Sequence, residues 1–197
     1  MGLFKIIKNE KFQIGIWEIT ETVDELEKLA NNLFTRKYKS TKRTKEALIN
    51  NILVNTLLPG SKINYNVYGA PILENNFISI SHTKKLACVL ISDVNVGVDI
   101  EEISSKPLKL SNKFINDENQ VLLTKKKALI IWCLKEAIFK WHEKGNISFK
   151  KDIIVYNFKE NIKGVVKARF KNKEILAEFI QIKNHYLVYL CRKKTNL

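Results

Sequence analysis

The sequence predicts an α+β protein of two halves that meet near residue 102, and three observations predict it. Runs with helical period precede runs with strand character twice along the 197 residues. No flexible linker, low-complexity tract or sequence repeat separates the halves, so residues 1–102 and 103–197 are expected to pack as one body. With 45% of its residues hydrophobic, the chain can bury a sizeable core.

A first strand is expected near residues 13–19. Thr22-Val23-Asp24-Glu25 then has the form of a capping box, followed by Leu26, Leu29, Ala30 and Leu33 at helical spacing. A basic stretch holds Arg36, Lys37, Lys39, Lys42, Arg43 and Lys45, which could equally be a solvated face. The spacing of Ala47, Leu48, Ile52, Leu57 and Leu58 predicts a helix over 44–58, stopped by Pro59-Gly60. Strands are expected over 63–68, 77–81, 86–92 and 94–101. Pro107 interrupts the chain before a short helical piece. A long helix is expected over 127–143, with Ile131, Leu134, Ile138 and Trp141 on its apolar face. After Gly145-Asn146, four more strands are expected near 153–158, 165–170, 175–182 and 186–191.

No apolar run approaches the roughly 20 residues of a membrane span. The start, Met1-Gly2-Leu3-Phe4-Lys5, lacks a signal peptide's apolar region, so a cytoplasmic protein away from the membrane is expected. Cys88, Cys133 and Cys191 are odd in number and have no metal spacing, which predicts free thiols in apolar surroundings. The net charge of +14 favours an acidic partner, unless it reflects coding bias alone. Only four of the 34 basic residues are arginines, which suits point-charge attraction better than forked base recognition. No nucleotide-binding glycine loop, zinc spacing or RNA-binding aromatic signature is present.

The chemistry concentrates in Val96-Gly97-Val98-Asp99-Ile100-Glu101 and Trp132-Cys133-Leu134-Lys135-Glu136-Ala137. On a strand, Asp99 and Glu101 point to one side with Val98 and Ile100 behind them. Glu136 could add a third carboxylate from the helix, and an all-oxygen set suits Mg²⁺ rather than zinc. Alone, the two strand carboxylates are also what a strand ending at a solvated turn carries. Trp132, Glu136 and Lys140 share a helix face, where Glu136 and Lys140 could be an ordinary exposed ion pair. Ser81-His82-Thr83 ends a strand at a turn that could bind phosphate oxygens or simply be capped. Ser81 has no nucleophile elbow, so a serine hydrolase is not indicated.

Together, Gly69-Ala70-Pro71, Ser79-Ile80-Ser81-His82, the Asp99-x-Glu101 strand and Trp132-x-x-Lys135-Glu136-Ala137 with Lys140 resemble the 4'-phosphopantetheinyl transferase superfamily in its monomeric, surfactin-synthetase-activating type. The resemblance covers roughly residues 36–149. It implies two similar, pseudo-twofold-related halves with the active site at their junction. It also implies Mg²⁺-dependent transfer of 4'-phosphopantetheine from coenzyme A to a serine of an apo acyl or peptidyl carrier protein, with Mn²⁺ as the alternative ion. Adenosine 3',5'-bisphosphate would be released.

Carried over, Asp99, Glu101 and Glu136 resemble the metal carboxylates and Lys140 the lysine near the diphosphate. Ser81 and His82 resemble the coenzyme A phosphate contacts, with Gly69 and Pro71 in the binding turn and Arg43 a contact to the 3'-phosphate. Glu136, directly or through a metal-bound water, is the candidate base. The carriers implied are acidic, which would give the basic surface a use. The family turn usually carries lysine where Ala70 stands, and Lys62, Lys84, Lys85 or Lys144 are the candidates to replace that cation. The competing expectations are a non-catalytic binding relative and a lysine-rich nucleic-acid binder, of which the second requires tolerance of Asp99→Ala.

Overall fold

A computed structural model describes residues 2–31, 38–116 and 123–193; Leu33, Arg36 and Lys37 lie outside the described residues. The architecture is mixed α+β. The chain divides into two compact units, Met1–Val96 with Arg192–Leu197, and Gly97–Cys191.

The first unit contains β1 (Leu3–Lys8), β2 (Phe12–Glu18), α1 (Val23–Ala30), α2 (Thr41–Leu57), β3 (Asn64–Tyr65), β4 (Pro71–Ile72), β5 (Phe77–His82) and β6 (Leu86–Ser92). Four of its strands form an antiparallel sheet in the order β1-β2-β6-β5. The expected capping box starts α1: Thr22 Oγ1 accepts from the Glu25 amide at 3.3 Å, and the Thr22 amide donates to Glu25 Oε2 at 2.8 Å. The apolar face of α2 buries Leu48, Ile49, Leu53 and Val54. It crosses β2 at Gly15, where a Cβ would stand 2.9 Å from Leu53 Cδ2.

The strand expected over 63–68 is realised only as the two residues of β3. Asn66 Oδ1 accepts from the amides of Tyr68 and Ala70 at 2.9 and 3.0 Å, and Gly69 takes φ +77°, so the backbone turns into β4 before a longer strand can form.

The second unit holds α3 (Lys106–Lys109), α4 (Ser111–Phe114), α5 (Lys125–His142), α6 (Phe149–Asp152), β8 (Ile153–Val155), β9 (Lys163–Phe170), β10 (Lys173–Ile182) and β11 (His185–Cys191). The strand β7 (Val96–Glu102) pairs with β11, giving the sheet order β7-β11-β10-β9-β8. This pairing joins segments far apart in the chain, and such partners leave no local trace in the sequence.

Alternation is clean on β10, where Ile175, Ala177 and Phe179 are buried and Leu176 and Glu178 exposed. α5 lies against β11 and buries Ile131, Leu134, Ile138 and Trp141 as its spacing predicts. Thr124 caps its start by accepting from the Lys127 amide at 3.1 Å, and Glu143 ends it at φ +65°. Cys88 and Cys133 are buried free thiols, while Cys191 is half-buried. Among the described residues, no helix is long and apolar enough to cross a membrane.

Candidate active site

Gly97, Asp99 and Glu101 alternate onto one side of β7, and Gly97 sets how close that side comes to α5. A Cβ on Gly97 would stand 1.9 Å from the Ala137 carbonyl oxygen and 3.0 Å from Trp141 Cβ. The strand therefore touches helix backbone, an approach open only to glycine.

One result of that approach is the position of Lys140. Its Nζ donates to Asp99 Oδ1 at 2.8 Å and to the Val98 carbonyl oxygen at 2.9 Å. The Asp99 side chain is 6% exposed and that of Lys140 27%. Lys140 thus pairs across to the strand.

Glu101 is pushed up to about 7, first by burial and then by repulsion from Asp99, with Glu136 adding in the same direction and Lys140 and Lys106 opposing. Burial also raises Glu136, again with repulsion from Asp99. The thiol of Cys133 is raised by burial and by the charges of Asp99 and Glu101. Asp99, Glu101 and Glu136 therefore act on one another's charge.

Among the described residues, no three His, Cys, Asp or Glu side chains stand ready to hold a metal ion together. The Lys140 ammonium already serves Asp99 in this arrangement. The donor set still fits a hard cation. All three groups are carboxylates, and two of them are raised by burial and then by repulsion from Asp99, which a divalent ion would relieve.

Around this cluster the sequence missed two features. Lys135 is 1% exposed, and its Nζ donates to the carbonyl oxygens of Phe149 and Ile153 at 2.5 and 2.6 Å. Burial lowers its ammonium to about 7. Trp132 stacks edge-on against Phe114 and Phe149 at centroid distances of 5.1 and 5.8 Å, and Phe149 against Phe139 at 6.2 Å. Nothing in the local pattern distinguishes Lys135 from a surface lysine. Gly97 inside a strand was a readable sign of close backbone approach.

The other expected site residues belong to other segments of the chain. Lys144 is exposed just beyond the end of α5. In the first unit, Ser81 and His82 end β5, with Ser81 buried and His82 half-buried. Thr83 tightens the turn after them by accepting from the Leu86 amide at 2.9 Å. His82 Nε2 contacts Asn50 Oδ1 of α2 at 2.7 Å. Arg43 is exposed in the first turn of α2, and Gly69 and Pro71 form the Asn66-braced turn. Lys62, Lys84 and Lys85 are exposed.

Two comparisons with known proteins cover β7 or α5 in sequence. The model of the 4'-phosphopantetheinyl transferase superfamily matches residues 95–191, a span that contains Asp99, Glu101, Glu136 and Lys140. The 4'-phosphopantetheinyl transferase gsp of Aneurinibacillus migulanus is 30% identical over 111 residues, covering 51% of this chain and 47% of that protein. Over that span the chain is similar to the 4'-phosphopantetheinyl transferase superfamily. It spans about half the length of the curated relative it matches.

Proposed function

We propose that this protein transfers the 4'-phosphopantetheine arm of coenzyme A to a serine of an apo acyl or peptidyl carrier protein, releasing adenosine 3',5'-bisphosphate. The observation that carries the proposal is the convergence of Asp99, Glu101, Glu136 and Lys140 within the span that matches the superfamily. Asp99, Glu101 and Glu136 would hold Mg²⁺, or Mn²⁺ in its place. When bound, the ion supplies neutralisation of diphosphate charge.

The chain's own residues account for the remaining roles. The carrier serine oxygen bonds to the phosphorus of the phosphopantetheine arm, and the bond from that phosphorus to the bridging oxygen of the diphosphate breaks. The serine proton passes to Glu136, the candidate base of the site. Lys140 lies against the leaving phosphate and offsets its growing charge, a preorganised donor already held by Val98 and Asp99. Arg43, Ser81 and His82 contact the coenzyme A phosphates, with Gly69 and Pro71 shaping a turn beside them. Lys144 is a further cation for the diphosphate. No activated nucleophile is needed in this chain, because the nucleophile belongs to the carrier.

The charge of +14 supports an acidic carrier as the partner, since opposite charge speeds encounter and holds register. The resemblance to the surfactin-synthetase-activating type supports a monomeric, cytoplasmic enzyme. The test is chromatographic detection of adenosine 3',5'-bisphosphate from coenzyme A and a panel of apo carrier proteins. Release that requires carrier, coenzyme A and divalent ion together is expected; no release with any carrier would overturn the proposal.

A further inference from the structure

A buried asparagine in the middle of a helix that otherwise buries apolar side chains calls for a reason. Asn50 is 5% exposed on α2, between Leu48, Ile49, Ile52 and Leu53, where an unbonded amide would be costly. Its Oδ1 lies 2.7 Å from His82 Nε2 at the end of β5, which ties two elements 32 residues apart. Arg43 precedes Asn50 by two turns of the same helix.

We infer that Asn50 is the positioning residue of His82, fixing the ring in one orientation with its hydrogen on Nε2; the benefit to coenzyme A binding rests on the reading of His82 given above. The Asn50 carboxamide oxygen can only accept, so the facing Nε2 must donate. In the neutral ring the second nitrogen then carries the lone pair, and any further proton adds at Nδ1. The ring keeps its Nε2–H bond to Asn50 in both charge states and so does not turn when it gains charge. A side chain that grips a phosphate oxygen benefits because less rotational freedom is lost on binding. Neither the Ser81-His82 motif nor its turn requires an asparagine on α2, so the pair is a feature of this chain's own packing.

The experiment has two independent arms. The chain has three histidines, so the ring signals of His82 can be assigned in ¹⁵N–¹H spectra by comparison with His82→Ala. A single Nε2–H signal protected from solvent exchange is expected in the wild type, retained in Asn50→Asp, which keeps the size and the acceptor oxygen, and lost in Asn50→Leu. A wild-type ring averaging between tautomers, or an identical signal in Asn50→Leu, would overturn the inference. Because the wild-type signal decides on its own, a poorly folded leucine variant does not remove the test.

In the kinetic arm, Asn50→Leu is expected to raise KM for coenzyme A by about tenfold, the worth of one well-placed hydrogen bond, with kcat within about twofold. Unchanged KM in Asn50→Leu beside a raised KM in His82→Ala would overturn the positioning role and leave the transferase proposal intact. Unchanged KM in His82→Ala would remove His82 from the coenzyme A site, and the ring signal would then decide the Asn50 contact alone.

Discussion

Lys140 reaches across from α5 to β7 and donates to Asp99 at 2.8 Å, while the same ammonium holds the carbonyl of Val98 at 2.9 Å. A lysine fixed by two acceptors on a strand is preorganised, and it stands beside two carboxylates, Glu101 and Glu136, whose pKa values the site raises. Replacing Lys140 with methionine should lower kcat by about 10²–10³-fold, as loss of a preorganised donor to developing charge does. Steady-state kinetics with coenzyme A and a carrier measure it. A loss confined to thermal stability would make Lys140 a structural residue.

Gly97→Ala tests the close approach that creates this pair. A methyl group there would meet the Ala137 carbonyl oxygen, so strand and helix must move apart. Destabilisation of about 1–3 kcal/mol is expected from overpacking of this kind, read by urea denaturation. Transfer activity should fall further than stability explains, because Asp99 and Lys140 separate.

Glu101 predicts a pH dependence of stability. Its carboxyl is raised from 4.5 to about 7. Between those values the folded chain retains a proton that the unfolded chain has released, so folding stability falls as pH rises through the window, and Glu136 acts in the same direction. Glu101→Gln should flatten the fall and raise Tm above pH 7 in metal-free buffer. Mg²⁺ should raise the Tm of the wild type more than that of the variant, since a ligand stabilises only the state that binds it. Thermal melts across pH with and without Mg²⁺ provide both comparisons.

Lys135 predicts the opposite slope. Burial lowers its ammonium from 10.5 to about 7, so above pH 7 the unfolded chain holds a proton that the folded chain has lost, and stability rises with pH between those values. Lys135→Met removes that rise and strips the carbonyls of Phe149 and Ile153 of a shared donor. A loss of about 1–3 kcal/mol is expected near pH 9, shrinking toward pH 6, where the cost of burying the charge also disappears. Urea denaturation of both proteins at the two pH values is the check.

What the sequence disclosed follows from how local each signal is. Alternation marked β10, helical spacing marked α5, and parity put Asp99 and Glu101 on one face of β7. Pairing is not local. The partner of β7 lies at the far end of the chain, so that pairing could not be read from pattern alone. The same applies to the contact of Lys140 with Asp99, which the packing of Gly97 on Ala137 brings together. Asn66 and Gly69 overrode the strand character of residues 63–68 by satisfying the backbone within a turn. Lys135 and Asn50 were unreadable for a related reason, since each is a polar residue whose partners come from another segment.

The most direct measurement is the intact mass of an apo carrier protein after incubation with coenzyme A, Mg²⁺ and either the wild-type protein or its Asp99→Ala and Glu136→Ala variants, beside an EDTA control. A gain of one phosphopantetheine on the carrier serine is expected with the wild type and Mg²⁺, and none with EDTA or with either folded variant. Equal modification by the wild type and both variants would overturn the role proposed for Asp99 and Glu136.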